Sequence, residues 1–338
     1  MALPQPITIP IETITPIWTG DADRKTSYIK GSSIMGGLRF WTEALLRFLG
    51  HHVCDITDEK KRDIFDKEKK KTAICKCCEI FGCTGKGRSF SLKVGGESHE
   101  VDHVGTIRLN VPPSPGKRKP PTWYLGNQGP GKGGKDLYLQ ILPLRPSGLP
   151  NELVLALVFM LKYGTIGARD QYGHGLIKPF FNDQLLKQAR EAIPSSDSKP
   201  DFGLNFGDFF FFKGTLPKPN KFIPFEIRYN VRTSLRVPNN QRDLRHYFCG
   251  SIIPNDKNAT KYNIGLANNL VRGWGYFPNS NQVAANRNHC LDILKKEVAA
   301  RTIPNTMVWR EFNNPRDITS QRSSPIEYLK DLLEGVWP

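Results

Sequence analysis

Residues 28–47 read YIKGSSIMGGLRFWTEALLR. Ile34, Leu38, Trp41, Leu45 and Leu49 recur at helical spacing, which predicts a helix over residues 33–49 with one apolar face. Ser33 is placed to cap its start, and Gly50 to end it in the left-handed conformation. Arg39, Glu43 and Arg47 stand four apart, so an ion-pair ladder is expected along one side. At the start, Gly31, Ser32 and Ser33 leave backbone N–H groups and the positive end of the helix dipole available to a phosphate, with Lys25 and Lys30 adding charge from the preceding loop. An ordinary capped helix without a ligand accounts for the same residues, and at this point both readings stand.

Working outward, residues 6–18 alternate as a half-buried strand, with Ile7, Ile9 and Ile11 on one face; Pro10 argues for an edge position or a bulge. A charged, helical-looking insertion covers about 55–80. Strands are expected at 88–94, 104–111 and 137–144. Between the last two lies a Pro/Gly/Lys-rich basic loop, residues 112–136, with the runs PPSPGKRKPP and GNQGPGKGGK. NELVLALVFMLKY, residues 151–163, reads as a second, buried helix closed by Gly164, and 176–181 as a strand. Strand, helix, strands, helix, strand matches the order of a ferredoxin-like βαββαβ unit with large insertions. A short helix at 182–192 and the linker IPSSDSKPDFG separate a first domain, residues 1–193, from a second, residues 204–338. In the second, strands are expected at 206–213 and 222–237 and a helix near 282–301. A final helix follows, with Ser324 as cap, Pro325 at its first position and Glu327 three on from the cap. The fold class is therefore α+β, with two ferredoxin-like domains, the first carrying the helical insertion and the long basic loop.

The 338 residues carry 48 Lys and Arg against 32 Asp and Glu, a formal net charge of +16. Such an excess points to a polyanionic partner, because cationic side chains release counterions when they neutralise phosphates. A membrane surface is disfavoured: the longest apolar run, Leu153 to Leu161, is too short to span a bilayer. The N-terminus lacks the charged and apolar regions of a signal peptide, so a cytoplasmic protein is expected. Seven cysteines, two of them adjacent at Cys77 and Cys78, suit reduced thiols or metal ligands better than secreted disulfides.

GTIGARDQYGHG, residues 164–175, places four glycines around Arg169 and His174. Its backbone can approach a ligand closely and can form an anion-binding nest, or its glycines can serve only tight turns. It is no dinucleotide fingerprint, since it follows a helix and leads into a strand. Cys75 and Cys78 have the C-x2-C spacing of a zinc site, with Cys83 as a third ligand and Cys54, His51 or His52 as a fourth; a set of small buried apolar residues is the alternative. The run from Gly129 to Lys135 imitates a phosphate loop, but Asp136 stands where Ser or Thr is needed and a strand follows, so nucleotide hydrolysis is rejected. Asp21 and Asp23 are either solvated loop charges or metal and nucleophile positioners. In the second half, Arg228, Arg232, Arg236, Arg242, Arg245 and Arg272 interleave with Tyr229, Tyr247, Phe248, Trp274 and Tyr276. That pattern serves single-stranded RNA or an aromatic core with solvated arginines.

Together these motifs resemble the RAMP superfamily of CRISPR systems, in particular type III-B (Cmr) effector subunits. ITPIWTGDADR and IKGSSIMGGLRFWTEALLR resemble the superfamily's first strand and helix, CEIFGCTGKGRSFSL its cysteine-plus-Phe-Gly segment, and GTIGARDQYGHGLIK its glycine-rich loop. The resemblance implies a cytoplasmic, non-catalytic, RNA-binding subunit that meets guide RNA near its 3′ end, target RNA and the backbone RAMP subunits. No cofactor is required; a structural zinc at Cys75, Cys78 and Cys83 stays one of the two readings of those cysteines. Lys25, Lys30, Gly31, Ser32, Ser33, Arg39, Gly167, Ala168, Arg169 and His174 are the expected RNA-binding residues. Met35 departs from the pattern, which often has Lys there, and this puts a phosphate contact expected at that position in doubt. Because other RAMP proteins cut RNA, an endoribonuclease using Asp21 or Asp23 with a metal, or His51, His52 or His174 as acid or base, is the rival reading.

Overall fold

The structure, a computed structural model, describes residues 4–21, 23, 25–56, 58–59, 61–66, 73–101, 107–108, 122–123, 130–170, 173–196, 199–200, 203–235, 242–253, 256–258, 260–278, 284–318, 324–335 and 337. Most of the basic loop, and Arg236, lie outside these residues. The architecture is a mixed α and β one built on antiparallel sheets, in keeping with the α+β expectation. Among the described residues no helix is long and apolar enough to cross a membrane.

The first half runs β1 (Ile7–Thr13), α1 (Gly31–Phe48), α2 (Lys76–Phe81), β2 (Phe90–Gly95), β3 (His99–Val101), β4 (Ile107–Arg108), β5 (Thr122–Trp123), β6 (Gly131–Gly133), β7 (Leu137–Pro143), α3 (Asn151–Tyr163), β8 (Ile177–Pro179) and α4 (Asp183–Glu191). Its main sheet has the order β2-β7-β1-β8, antiparallel throughout. Strand β1 is thus interior, contrary to the edge position expected from Pro10. The chain tolerates it because Pro10 sits where the short β8 ends: its carbonyl accepts from Phe180 N at 2.9 Å, and its missing N–H faces the same side.

The second half runs β9 (Phe209–Thr215), α5 (Ile223–Ser234), α6 (Arg242–Cys249), β10 (Ser251–Ile253), β11 (Asp256–Asn258), β12 (Tyr262–Ala267), β13 (Leu270–Tyr276), α7 (Ala284–Ala299), β14 (Val308–Glu311) and α8 (Pro325–Glu334). Its sheet has the order β12-β13-β9-β14, again antiparallel. Both sheets place the first strand inside, between the third and the fourth, with the second strand at the edge beside the third.

Two expectations fail here. The strand expected at 222–237 is absent from its described residues: 223–234 are helix α5, with Pro224 in its first turn and Pro224, Ile227, Arg228 and Val231 buried at helical spacing. The alternation of aromatic and branched residues that suggests a strand is overridden by packing of α5 on α7. The insertion at 55–80 is helical only at α2 among the described residues; elsewhere it forms turns and isolated bridges such as Ile64 to Thr84.

The halves share a core. Helices α1 and α3 pack together, covering the first sheet on one side and meeting the second sheet on the other. Phe209 and Phe211 of β9 join the α1–α3 core with Trp274, while Phe210 and Phe212 point into a separate core with α5 and α7. Trp41 of α1 lies 5.1 Å from Phe209 and 5.2 Å from Trp274, ring centre to ring centre. A helix held between two sheets has no wet face, which is why α3 is apolar nearly all round, and a strand buried on both sides can carry four consecutive phenylalanines. Opposite them on β13, Gly273 pairs with Phe212 and Gly275 with Phe210. A Cβ at either glycine would run into the ring of its partner.

Candidate nucleic-acid interface

The chain leaving β1 continues as Pro16–Gly20, and both glycine-containing segments singled out in the sequence are fastened to it. On one side, Thr19 staples the start of α1. Its hydroxyl donates to Tyr28 O at 3.0 Å and accepts from Lys30 N at 3.2 Å, and its carbonyl accepts from Ser33 Oγ at 3.1 Å. Lys30, not Ser33, holds the N-cap position, and its side chain makes no capping bond. The expected Ser33 cap fails because that hydroxyl is committed to Thr19. Gly31 backs onto β2, where a side chain would stand 2.7 Å from Leu92 O. Ser32 and Lys25 are exposed, and Tyr28 is 60% exposed. The Lys30 ammonium pairs with Asp21 and donates to Gly20 O at 3.3 Å. Hydrogen bonds from Lys30 and Ser27 hold the Asp21 carboxyl at about 2, and Asp21 raises Lys30 in turn.

On the other side, Ala168 N donates to Trp18 O at 2.7 Å, and Gly175 N to Pro16 O at 3.0 Å. Gly167 has a φ of 88°, and a Cβ there would lie 2.6 Å from Trp18 O; only glycine lets the two backbones approach so closely. Arg169, also left-handed with a φ of 62°, lays its guanidinium on the Trp18 indole, 3.5 Å from the ring centre. The opposite side of the loop is tied to the second sheet through Asp170 Oδ2, which accepts from Asn263 Nδ2 at 2.9 Å, and through Thr165 Oγ1, which accepts from Trp274 Nε1 at 3.3 Å.

Lys25, Lys30, Gly31, Ser32 and Ser33 are thus gathered with Gly167, Ala168 and Arg169 about one short segment. His174 lies beneath it, 5% exposed, with Nδ1 3.1 Å from Pro16 O, as a buried strut and not a surface group. Arg39 is placed elsewhere. It pairs with Glu43 at 2.8 Å and lies over Phe81, facing α2. The expected ladder stops there, because Arg47 turns inward to the carbonyls of Val53 and Cys54. Trp18, Thr19 and Tyr28 were missed as site residues. Their one signal in the sequence is position: a tryptophan and a small hydroxyl residue at the end of a strand, just before glycine.

Among the described residues, the second-half arginines singled out in the sequence are not an exposed row. Arg228 and Arg272 are 5% and 2% exposed, and Trp274 is core. Arg228 reaches Tyr262 O, and Arg232 Nη1 donates to Gly250 O at 2.9 Å. Here the aromatic-core reading is the right one for the described residues, with Arg228 and Arg272 buried as well instead of solvated.

A family model described as the RAMP superfamily matches residues 10–178, half of the chain. The chain belongs to the RAMP superfamily. The match runs from within β1 to β8, and so takes in both segments fastened to Pro16–Gly20. Among solved structures, this RAMP chain is similar to Cmr1 from Pyrococcus furiosus in its apo form, at 13% identity and a TM-score of 0.46, with 90% of this chain and 98% of that chain covered. No curated protein matches the chain.

The RAMP chain also gathers cysteines between α1 and β2. Cys54, Cys75 and Cys78 converge with Asp63, their ligand atoms all within 4.8 Å of one another. Cys83, expected as a third ligand, is not among them. It closes a tight turn with Lys86, and Asp63 and Cys54 stand with Cys75 and Cys78 instead. A hydrogen bond from Cys78 pulls the Cys75 thiol down to about 6, and the same bond pushes Cys78 up.

Proposed function

We propose that this RAMP chain is a non-catalytic RNA-binding subunit of a type III-B CRISPR (Cmr) effector, contacting guide RNA near its 3′ end and helping capture target RNA in antiviral defence in the cytoplasm. In this reading its neighbours are guide RNA, target RNA and other Cmr subunits, above all the backbone RAMP subunits. It corresponds to the first-numbered subunit, and each half is a ferredoxin-like unit. The common strand order of the two sheets supports the last point. Superfamily membership and the motif resemblance support the type III-B placement.

The observation that carries the reading is the joining of the α1 start and the 164–175 loop through Pro16–Gly20. Exposed Lys25 and Ser32, exposed Tyr28 and indole-stacked Arg169 share that rim on a chain of net charge +16. Backbone N–H groups and cations hold phosphates, and an exposed ring offers a base a stacking surface. The endoribonuclease reading is weaker, since Asp21 is committed to Lys30 and Ser27 and His174 is buried.

The test is binding of a labelled single-stranded RNA to the full chain and to the assembled complex over a salt series. Affinity falling steeply with salt, with crosslinks to peptides containing Tyr28 and Arg169, is the expected result. Salt-insensitive binding, or cleavage of the RNA that one of the named acids or histidines controls, would overturn the reading.

A further inference from the structure

The stretch between α1 and β2 is held differently from the rest of the molecule. Leu46, Val53, Cys54, Cys75, Cys77 and Cys78 form a small cluster apart from both larger cores. Among its described residues, 51–75 contain no helix, and their strand-like contacts are isolated bridges. Four buried cysteines and two aliphatic side chains remove little apolar surface from water, so burial alone is a weak fastening for such a length of chain. What the cluster has instead is a converging donor set. Cys54 Sγ lies 3.4 Å from Cys78 Sγ, and the donor atoms of Cys54, Asp63, Cys75 and Cys78 lie within 4.8 Å of one another. A tetrahedral zinc with Zn–S bonds of about 2.3 Å sets its sulfurs roughly 3.8 Å apart, a spacing close to the 3.4 Å between Cys54 Sγ and Cys78 Sγ. The C-x2-C pair sits at the start of α2, where Cys78 N donates to Cys75 Sγ at 3.4 Å, and Cys75 N donates to Asp63 Oδ2 at 2.6 Å. Backbone N–H groups thus already orient two of the four donors.

We propose that Cys54, Asp63, Cys75 and Cys78 bind one structural zinc ion that fastens residues 51–75 to α2. Three sulfurs and one carboxylate in a compact set select zinc over calcium or magnesium, which take oxygen ligands. All four positions are filled by protein, which is the mark of a structural site and not a catalytic one. On binding, each thiol that coordinates gives up its proton to solvent. Cys77, which points to Glu43, and Cys83, in its turn with Lys86, lie outside the set. The proposal is independent of the RNA-binding reading.

The experiment uses the full chain purified under reducing conditions. Elemental analysis is expected to give one zinc per chain, and cobalt substitution an absorption band of thiolate-bound tetrahedral cobalt. Cys75→Ser and Cys78→Ser should lose the metal, whereas C77S and C83S should keep it. Alkylation of wild type is expected to spare Cys54, Cys75 and Cys78 until a chelator is added. That measurement needs no variant, so it decides even if the serine variants fail to fold. A chain that holds no zinc after reconstitution, a Cys83→Ser loss equal to that of Cys75→Ser, or a Cys54–Cys78 disulfide in the unreduced native protein would each overturn the proposal.

Discussion

The loop at 164–175 and the strand segment at 272–277 draw on the same residue types, glycines about an arginine with aromatic rings nearby. In the loop, Arg169 lies on Trp18 at the rim of the first sheet, half-buried, and the glycines let one backbone touch another. In the strand, Arg272 is sealed in and burial pulls it down to about 10; Trp274 stacks on Phe209 at 5.8 Å; the glycines make room for rings across the sheet. The difference comes from position relative to the α1–α3 layer. A strand between that layer and a second helix layer becomes core whatever its composition, while a loop at the end of the layer keeps its tip, residues 167–170, at least partly exposed.

The two regions should part most widely at their anchoring side chains. Trp274→Ala should destabilise the chain by about 3–5 kcal/mol, as removal of a buried aromatic generally does, read as a shift of the urea midpoint with an unchanged slope. A loss under about 1 kcal/mol would mean that 272–277 is not core. Arg169→Glu is expected to act on binding instead: roughly tenfold weaker RNA binding at low salt, a salt slope shallower by about 0.7 because one phosphate fewer is neutralised, and a melting temperature close to wild type. Wild-type affinity would remove Arg169 from the interface.

A smaller effect is expected at the join itself. Gly167→Ala forces a side chain into a left-handed conformation against Trp18 O, costing about 1–2 kcal/mol, and should also weaken RNA binding by displacing Ala168 and Arg169. If stability falls while affinity holds, the loop is a fastening only. The smallest effect is electrostatic. Asp21 titrates at about 2 in the folded chain against an ordinary 3.8. Its contribution to holding the α1 start is therefore complete above pH 4 and lost as pH falls through about 2. A carboxyl NMR titration with a midpoint near 4 would show the Asp21–Lys30 pair to be absent in solution.

Strands β1, β2, β7 and β8 and helices α1, α3 and α4 were legible in the sequence because each has one dominant signal. Residues 151–163 read as a helix from an apolar run of the right length, and the observed bounds are the same. Ser324 caps α8 as its spacing requires, accepting from Glu327 N. Helix α5 was not legible, because its aromatic and branched residues satisfy a strand pattern until the partner helix is known. Strands β12 and β13 were missed for a related reason: glycine and asparagine within them resemble turn residues, and only the rings across the sheet explain Gly273 and Gly275. At the site, the loop residues were found from their glycines, but Trp18 and Thr19 could not be. Nothing local distinguishes a tryptophan that will carry an arginine from one that will enter the core. Asp63 went unrecognised as a neighbour of the cysteines because about a dozen residues separate it from Cys75, and spacing rules speak only to near neighbours.

Four phenylalanines in a row pose a problem of addressing. Sliding β9 by one residue would exchange its two faces without changing their polarity, so hydrophobicity cannot tell the correct alignment from its neighbour. The missing side chains of Gly273 and Gly275 remove the ambiguity. They leave two vacant seats on β13, spaced two apart, that accept the rings of Phe212 and Phe210. The reading frame of the second sheet is thus set by what β13 lacks, and a methyl group at either seat would erase it.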